Sequence, residues 1–148
     1  MADPKVTERR HWMAVLARAD AAALAEASAG LLPDYTLIRG PEAGLVMLQG
    51  RAGGSGAAFN LGEASVVRCT VRSAAGHLGH AYCLGRELRH AELAAAIDAG
   101  LQDPALRDRL QDRVVAGLAD AQADVRALEA RRAAATQVQF FTMATMRS

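Results

Sequence analysis

Cysteine and net charge are both scarce in this sequence, and each shortage closes off a class of function. Two cysteines in 148 residues cannot build a disulfide framework. The opening MADPKVTERRHW lacks the apolar core of an export signal. A reducing, cytoplasmic compartment is therefore expected. With 17 basic against 16 acidic side chains, the formal charge is +1, so no global field selects nucleic acid or an anionic membrane. Any anion site must be local. No apolar run approaches the roughly 20 residues that span a bilayer. What the chain does have is 51% apolar content, enough for the core of one domain, expected over residues 1–148.

The flanks are helical in pattern. Trp12, Val15, Leu16 and Ala19 recur at helical spacing, and Asp20 is placed to cap a second helix that stops at Gly30, so residues 7–30 read as a helical hairpin. Its second helix, AAALAEASA, offers no Arg, Lys, Asn or Gln to a base edge, which argues against DNA reading. Residues 87–135 read as two helices. The first carries Leu88, Ala91, Leu93, Ala94, Ile97 and Leu101 near helical spacing. The second opens with Asp103 as cap and Pro104 at the first position. Its stripe of Leu106, Leu110, Val114, Leu118, Ala121, Val125 and Leu128 is too long for the expected sheet, so part of it should pack outside the core. Residues 136–148 form an apolar tail with Phe140 and Phe141, expected to dock back or on a partner.

Between the helices, residues 35–86 read as an antiparallel sheet of three to four strands with a glycine-rich loop, giving an α+β fold. YTLIR is a short first strand and GPEAG a turn. LVMLQGR is apolar in both alternating sets, as in a central strand covered on both faces. If residues 73–76 make a four-residue hairpin loop, Arg72 lies opposite His77, Thr70 opposite Gly79, Arg68 opposite Ala81 and Val66 opposite Cys83. One face then holds Val67, Cys69, Val71, Leu78, His80, Tyr82 and Leu84 as core; the other holds Arg68, Thr70, Arg72, His77 and Gly79.

Chemistry has few footholds. Gly53, Gly54 and Gly56, beside Arg51, offer bare backbone N–H groups to phosphate oxygens, against the alternative of a tight bend that needs positive φ. Neither a Walker A loop nor GxGxxG is completed, since Phe59 takes the last glycine position. His77 and His80, three apart on a strand, point to opposite faces and cannot share an ion without a bulge. His80 with Cys69 makes half a zinc site at most, with Cys83 expected on the wrong face, so no metal site is expected. A Cys69–His80 catalytic pair is opposed by its apolar surroundings. His90 beside Arg86 and Arg89 at a helix start can bind an anion, against the alternative of a solvated first turn. No catalytic residue emerges. The candidate ligand or anion-binding set is Arg51, Gly53, Gly54, Gly56, Arg68, Arg72, His77, Arg86, Arg89 and His90.

The segments RGPEAGLVMLQGRAGGSGAAFNLGEASVVRCTVR and GHLGHAYCLGRELRHAELAAAIDAG, with the closing QFFTM and opening RRHWMAVLARA, resemble the phosphonate metabolism protein PhnG family along the whole chain. The resemblance implies a cytoplasmic subunit of the carbon–phosphorus lyase core complex, packed with subunits of the H, I, J and K families, the I subunit first among them. It implies a supporting role where an alkylphosphonate displaces adenine from MgATP to give ribose 1-phosphonate 5-triphosphate. The iron–sulfur cluster and S-adenosylmethionine of the later cleavage belong to another subunit, and no cofactor is expected on this chain. It supplies no catalytic residue to carry over. The main expectation is an assembly subunit; direct nucleotide or phosphonate binding by the glycine loop and basic face is the alternative. A free-standing dimeric ligand-binding module is the reading outside the family.

Overall fold

In the computed structural model, residues 4–137 are described. Helices α1 (Pro4–Arg18) and α2 (Ala21–Ser28) form the N-terminal hairpin. The Asp20 side chain accepts from the Ala22 and Ala23 N–H groups, satisfying donors that a helix start leaves orphaned. Strands β1 (Tyr35–Arg51), β2 (Ala58–Ser73) and β3 (Leu78–Leu84) make an antiparallel sheet in the order β1-β2-β3. A short 3-10 turn, Ala52–Gly54, joins the first two strands, with Gly53 at φ 60°. Helix α3 (Leu88–Leu101) follows, then α4 (Pro104–Leu110), a π-helical segment (Gln111–Ala116) and α5 (Gly117–Ala135). The expected long last helix is thus one rod with a π-helical insert, capped by Asp103 through the Ala105 N–H at 2.9 Å.

Helix α3 is the centre of the molecule. Every residue from His90 to Leu101 except Glu92 is buried, with the sheet on one side and α1, α2 and α4 on the others. Its alanines let those neighbours approach closely, while Leu93, Ile97 and Leu101 fill the volume between them. Trp12, Val15 and Leu16 from α1, Leu24 from α2 and Leu110, Val114 and Val115 from the last rod complete the core.

Two expectations for the sheet are corrected. The first concerns the register of the β2–β3 hairpin, which is shifted by one residue: Arg72 pairs with Leu78, Thr70 with His80, Arg68 with Tyr82 and Val67 with Cys83. The loop has three residues, closed by Ser73 N–H to the His77 carbonyl at 2.9 Å and Gly76 N–H to the Ser73 carbonyl at 2.8 Å, with Gly76 at φ 90°. One residue of slip exchanges the faces of β3. Gly79, Ala81 and Cys83 turn inward beside Val67, Cys69 and Val71, while Leu78, His80, Tyr82 and Leu84 turn out. Residue volume decides this against hydrophobicity. A Cβ on Gly79 would collide with the Ala95 carbonyl oxygen and lie 2.9 Å from the Ala99 Cβ, so only the small set of β3 residues fits under α3.

The second correction concerns β1. No turn forms at GPEAG; β1 runs unbroken, pairing with β2 from Tyr35↔Ser73 to Arg51↔Ala58. The surplus residues are absorbed by register shifts between Leu37 and Arg39 and between Arg39 and Glu42. LVMLQGR is therefore not central and not covered. It is the edge of the sheet, open on both faces among the described residues.

Candidate functional site

Beyond the footprint of α3, β1 and β2 continue together as a two-stranded arm, residues 45–51 paired with 58–65 and joined by the glycine-rich tip. Two antiparallel strands alone are marginally stable in water, and apolar residues on them are normally buried. Here Leu45 is 62% exposed, Met47 53%, Leu61 64%, and Leu48 and Phe59 are exposed as well. Leu45 and Met47 alternate with Val46 and Leu48, so both faces of the arm are apolar. A Cβ on Gly50 would lie 2.7 Å from the Leu61 side chain, which the bare glycine lets lie across the ribbon. The outer face of the sheet continues the pattern with Tyr82 and Leu84.

The sequence-derived polar candidates fall into three separate places. Arg51, Gly53, Gly54 and Gly56 lie at the arm tip, where the Arg51 guanidinium donates to the Gly56 carbonyl at 3.1 Å and closes the loop on itself. Arg68 and Arg72 lie on the outer sheet face, roughly 33 Å or more along β2 from the tip at about 3.3 Å per residue. Arg68 is tied to Glu42, which also meets Arg39 at 2.6 Å. The Arg68 hydrogen bond first, with the Arg39 charge behind it, holds the Glu42 carboxyl below its usual range. Arg72 borders a shallow hollow with Asp34, Tyr35 and Thr36. His77 ends the hairpin loop, its backbone N–H donating to Ser73 Oγ at 3.1 Å.

The third place is the start of α3. Arg86 donates to Ser65 Oγ at 3.1 Å, and Arg89 pairs with Glu92 at 3.3 Å. Glu92 also accepts the Tyr35 hydroxyl at 2.7 Å; burial first, then this bond, pushes the Tyr35 pKa up. His90 leaves this group altogether. It is buried, with its ring nitrogen 2.9 Å from the Leu16 carbonyl, where it ties α3 to α1.

His80 is on the outer face and meets Thr70 Oγ1 at 3.1 Å through Nδ1, so Cys69 is not its neighbour. Cys69 and Cys83 share the inner face instead. Burial pushes both thiols up, Cys83 to about 11, which suits inert core residues. Among the described residues, no group of three or more His, Cys, Asp or Glu side chains is gathered for a metal ion.

Asp98 was not singled out by the sequence. Its carboxylate is fully buried and accepts from Arg9 Nη2 at 2.7 Å, Arg9 Nε at 3.1 Å, Trp12 Nε1 at 2.8 Å and the His80 backbone N–H at 2.9 Å. This charge joins α1, β3 and α3 at one point. A buried carboxylate so fully paired is a structural tie, with no lone pair turned to a cleft.

An α+β chain whose polar candidates are dispersed and whose apolar arm is bare has the make-up of a subunit, since obligate interfaces resemble a core cut in half. The family model described as phosphonate metabolism protein PhnG matches residues 7–146. The chain is also 45% identical over 146 residues to the alpha-D-ribose 1-methylphosphonate 5-triphosphate synthase subunit PhnG of Rhizobium meliloti (strain 1021), covering 95% of this chain and 91% of that one. The chain belongs to the PhnG family.

Proposed function

We propose that the chain is a subunit of an alpha-D-ribose 1-methylphosphonate 5-triphosphate synthase, and that its part there is assembly rather than chemistry. The 45% identity to the synthase subunit of Rhizobium meliloti supports membership of such a synthase. The bare arm supports the assembly role: Leu45, Met47, Leu48, Phe59 and Leu61 need a neighbour to cover them. The partners are the other subunits of the carbon–phosphorus lyase complex, the H, I, J and K families, with the I subunit on the arm. The complex works on MgATP in the cytoplasm, an alkylphosphonate displacing adenine, and its iron–sulfur cluster and S-adenosylmethionine sit on another chain. Among the described residues no helix is long and apolar enough to cross a membrane.

Direct substrate binding by this chain is less well supported, because the tip and the outer face are too far apart to grip one phosphate chain. The test is a tagged copy expressed in its own host under phosphate starvation. Arg51→Ala and Arg72→Ala chains should still co-purify with the other subunits and support adenine release from ATP. An Arg51→Ala or Arg72→Ala complex that assembles fully yet releases no adenine would sink the assembly reading.

A further inference from the structure

The outer edge of β1 is undefended where the arm leaves the core. Edge strands are normally guarded against a stray strand by proline, charge or a bulge. β1 carries these guards only as far as position 42. Pro41 and Glu42 lie there, and both register shifts in which β1 holds the surplus residues fall between Leu37 and Glu42. From Ala43 to Gly50 the strand reads AGLVMLQG, without charge or proline, and the remaining shift, at Leu48 and Gln49, puts its surplus residue, Leu61, on β2. Among the described residues β1 pairs only with β2. The alternation of hydrogen bonds says which groups face out. Ser73 N–H donates to the His77 carbonyl and Gly85 N–H to the Ser65 carbonyl, so odd-numbered residues of β2 turn their main-chain groups to β3 and even-numbered ones to β1. Gly44, Val46 and Leu48 stand opposite the even-numbered Val66, Ala64 and Gly62. Ala43, Leu45, Met47 and Gln49 therefore point their N–H and C=O groups away from the sheet, an open ladder roughly 20 Å long at about 3.3 Å per residue.

We propose that β1 adds along this ladder to an edge strand of a sheet in another subunit, a sheet with a layer packed on each of its faces. The inference rests on the assembly role of the arm and specifies how the arm docks. Two layers are needed because the arm is apolar on both faces, and a strand of that kind is buried in a sheet covered on both sides. A second copy of this chain does not meet the need. Edge to edge, two arms hide main-chain groups but leave Leu45, Met47, Leu48 and Leu61 in water, whereas a stable interface buries about 1,200–2,000 Å². Face to face, the one carboxylate of the arm, Glu63, which stands opposite Met47, is brought into an apolar contact with its own copy. Glu63 takes part in none of the ion pairs among the described residues. The layer that covers the Met47 face must therefore bring a Lys or Arg to it, as a different chain can and a second copy of the arm does not.

The test is residue-resolved amide hydrogen exchange on the full chain, alone and in the complex co-purified with the other subunits. The Leu45, Met47 and Gln49 amides should exchange about a hundredfold more slowly in the complex, while Gly44, Val46 and Leu48 are protected in both. Equal exchange of the outward amides in the two samples overturns the proposal. So does protection already present in the chain alone, which would put a second copy, or residues 138–148 outside the described structure, on the edge. Gln49→Pro separates strand pairing from burial, since it removes one outward N–H and leaves the apolar faces as they are; Gln49→Ala is its control. Gln49→Pro should be lost from the complex and Gln49→Ala retained. Should proline disturb the arm, seen as faster exchange at Val46 in the isolated variant, an ester in place of the Gln49 amide removes the same donor. Full incorporation of the Gln49→Pro or ester chain, with Leu45→Asp, Met47→Asp excluded, overturns strand addition and leaves the assembly role standing. Incorporation of both defeats the two together.

Discussion

At the scale of single residues, the largest effect is expected at Asp98. Asp98→Ala leaves Arg9, Trp12 and the His80 N–H without their acceptor in a closed site. Breaking one side of such a buried pair costs about 3–5 kcal/mol, measured as a shift in urea midpoint and followed through Trp12 emission. Glu42 is the contrasting case, an exposed carboxylate whose value matters for pH rather than for the core. Held below its ordinary value of 4.5, first by the Arg68 hydrogen bond, it contributes stability that is present above that value. The contribution is lost as pH falls through the lower folded value. Carboxyl NMR should show Glu42 titrating below 4.5 in the native chain and returning towards it in Arg68→Ala. Asp98 was not legible from the sequence, because Arg9 and the backbone of His80 are 89 and 18 residues away and no local pattern joins them. His90 misled for a related reason. It sits between charged neighbours in sequence, yet the helix turns its ring inward to α1.

At the scale of elements, the helices were readable because their ends carry local signals: Asp20 and Asp103 cap as expected, and Pro104 opens α4. The sheet was readable in kind but not in register. Ranking β3 residues by hydrophobicity placed Leu78, Tyr82 and Leu84 inward. The packing of α3 selects by volume, and the smaller Gly79, Ala81 and Cys83 go in. Gly79→Ala therefore tests the close approach of β3 and α3. With Ala95 and Ala99 main-chain atoms in its way, the added methyl should destabilise by about 3 kcal/mol, the upper part of the usual overpacking range. An equal melting curve for Gly79→Ala would mean that α3 does not press on the sheet as described. β1 was split in the sequence reading because glycine and proline at 40 and 41 resemble a turn; tolerated bulges on an edge strand give the same residues another use.

At the scale of the whole molecule, the last rod and the arm leave the core in ways a self-contained domain has no use for. α5 has no fully buried residue, touching the core only through half-buried residues near its start such as Leu118 and Ala119, and the arm carries apolar side chains on both faces. The sequence pattern points to an over-long helix and to a strand covered on both faces. The strand is the more informative of the two, since its apolar pattern is real and no described residue covers it. Leu45→Asp with Met47→Asp is expected to leave the isolated chain within about 0.5 kcal/mol of its normal stability, because exposed positions away from the core rarely matter more. The same pair should destroy docking, because two carboxylates would be buried unpaired in an apolar interface.

That pair of substitutions gives the most direct test of the central claim, that this chain works by offering its arm to another subunit. The measurement is native mass spectrometry of the synthase subunits co-expressed with either form of the chain. The account predicts that the unmodified chain is held in the complex and that the Leu45→Asp, Met47→Asp chain is found folded but free. Incorporation of the double variant at the same stoichiometry would contradict it.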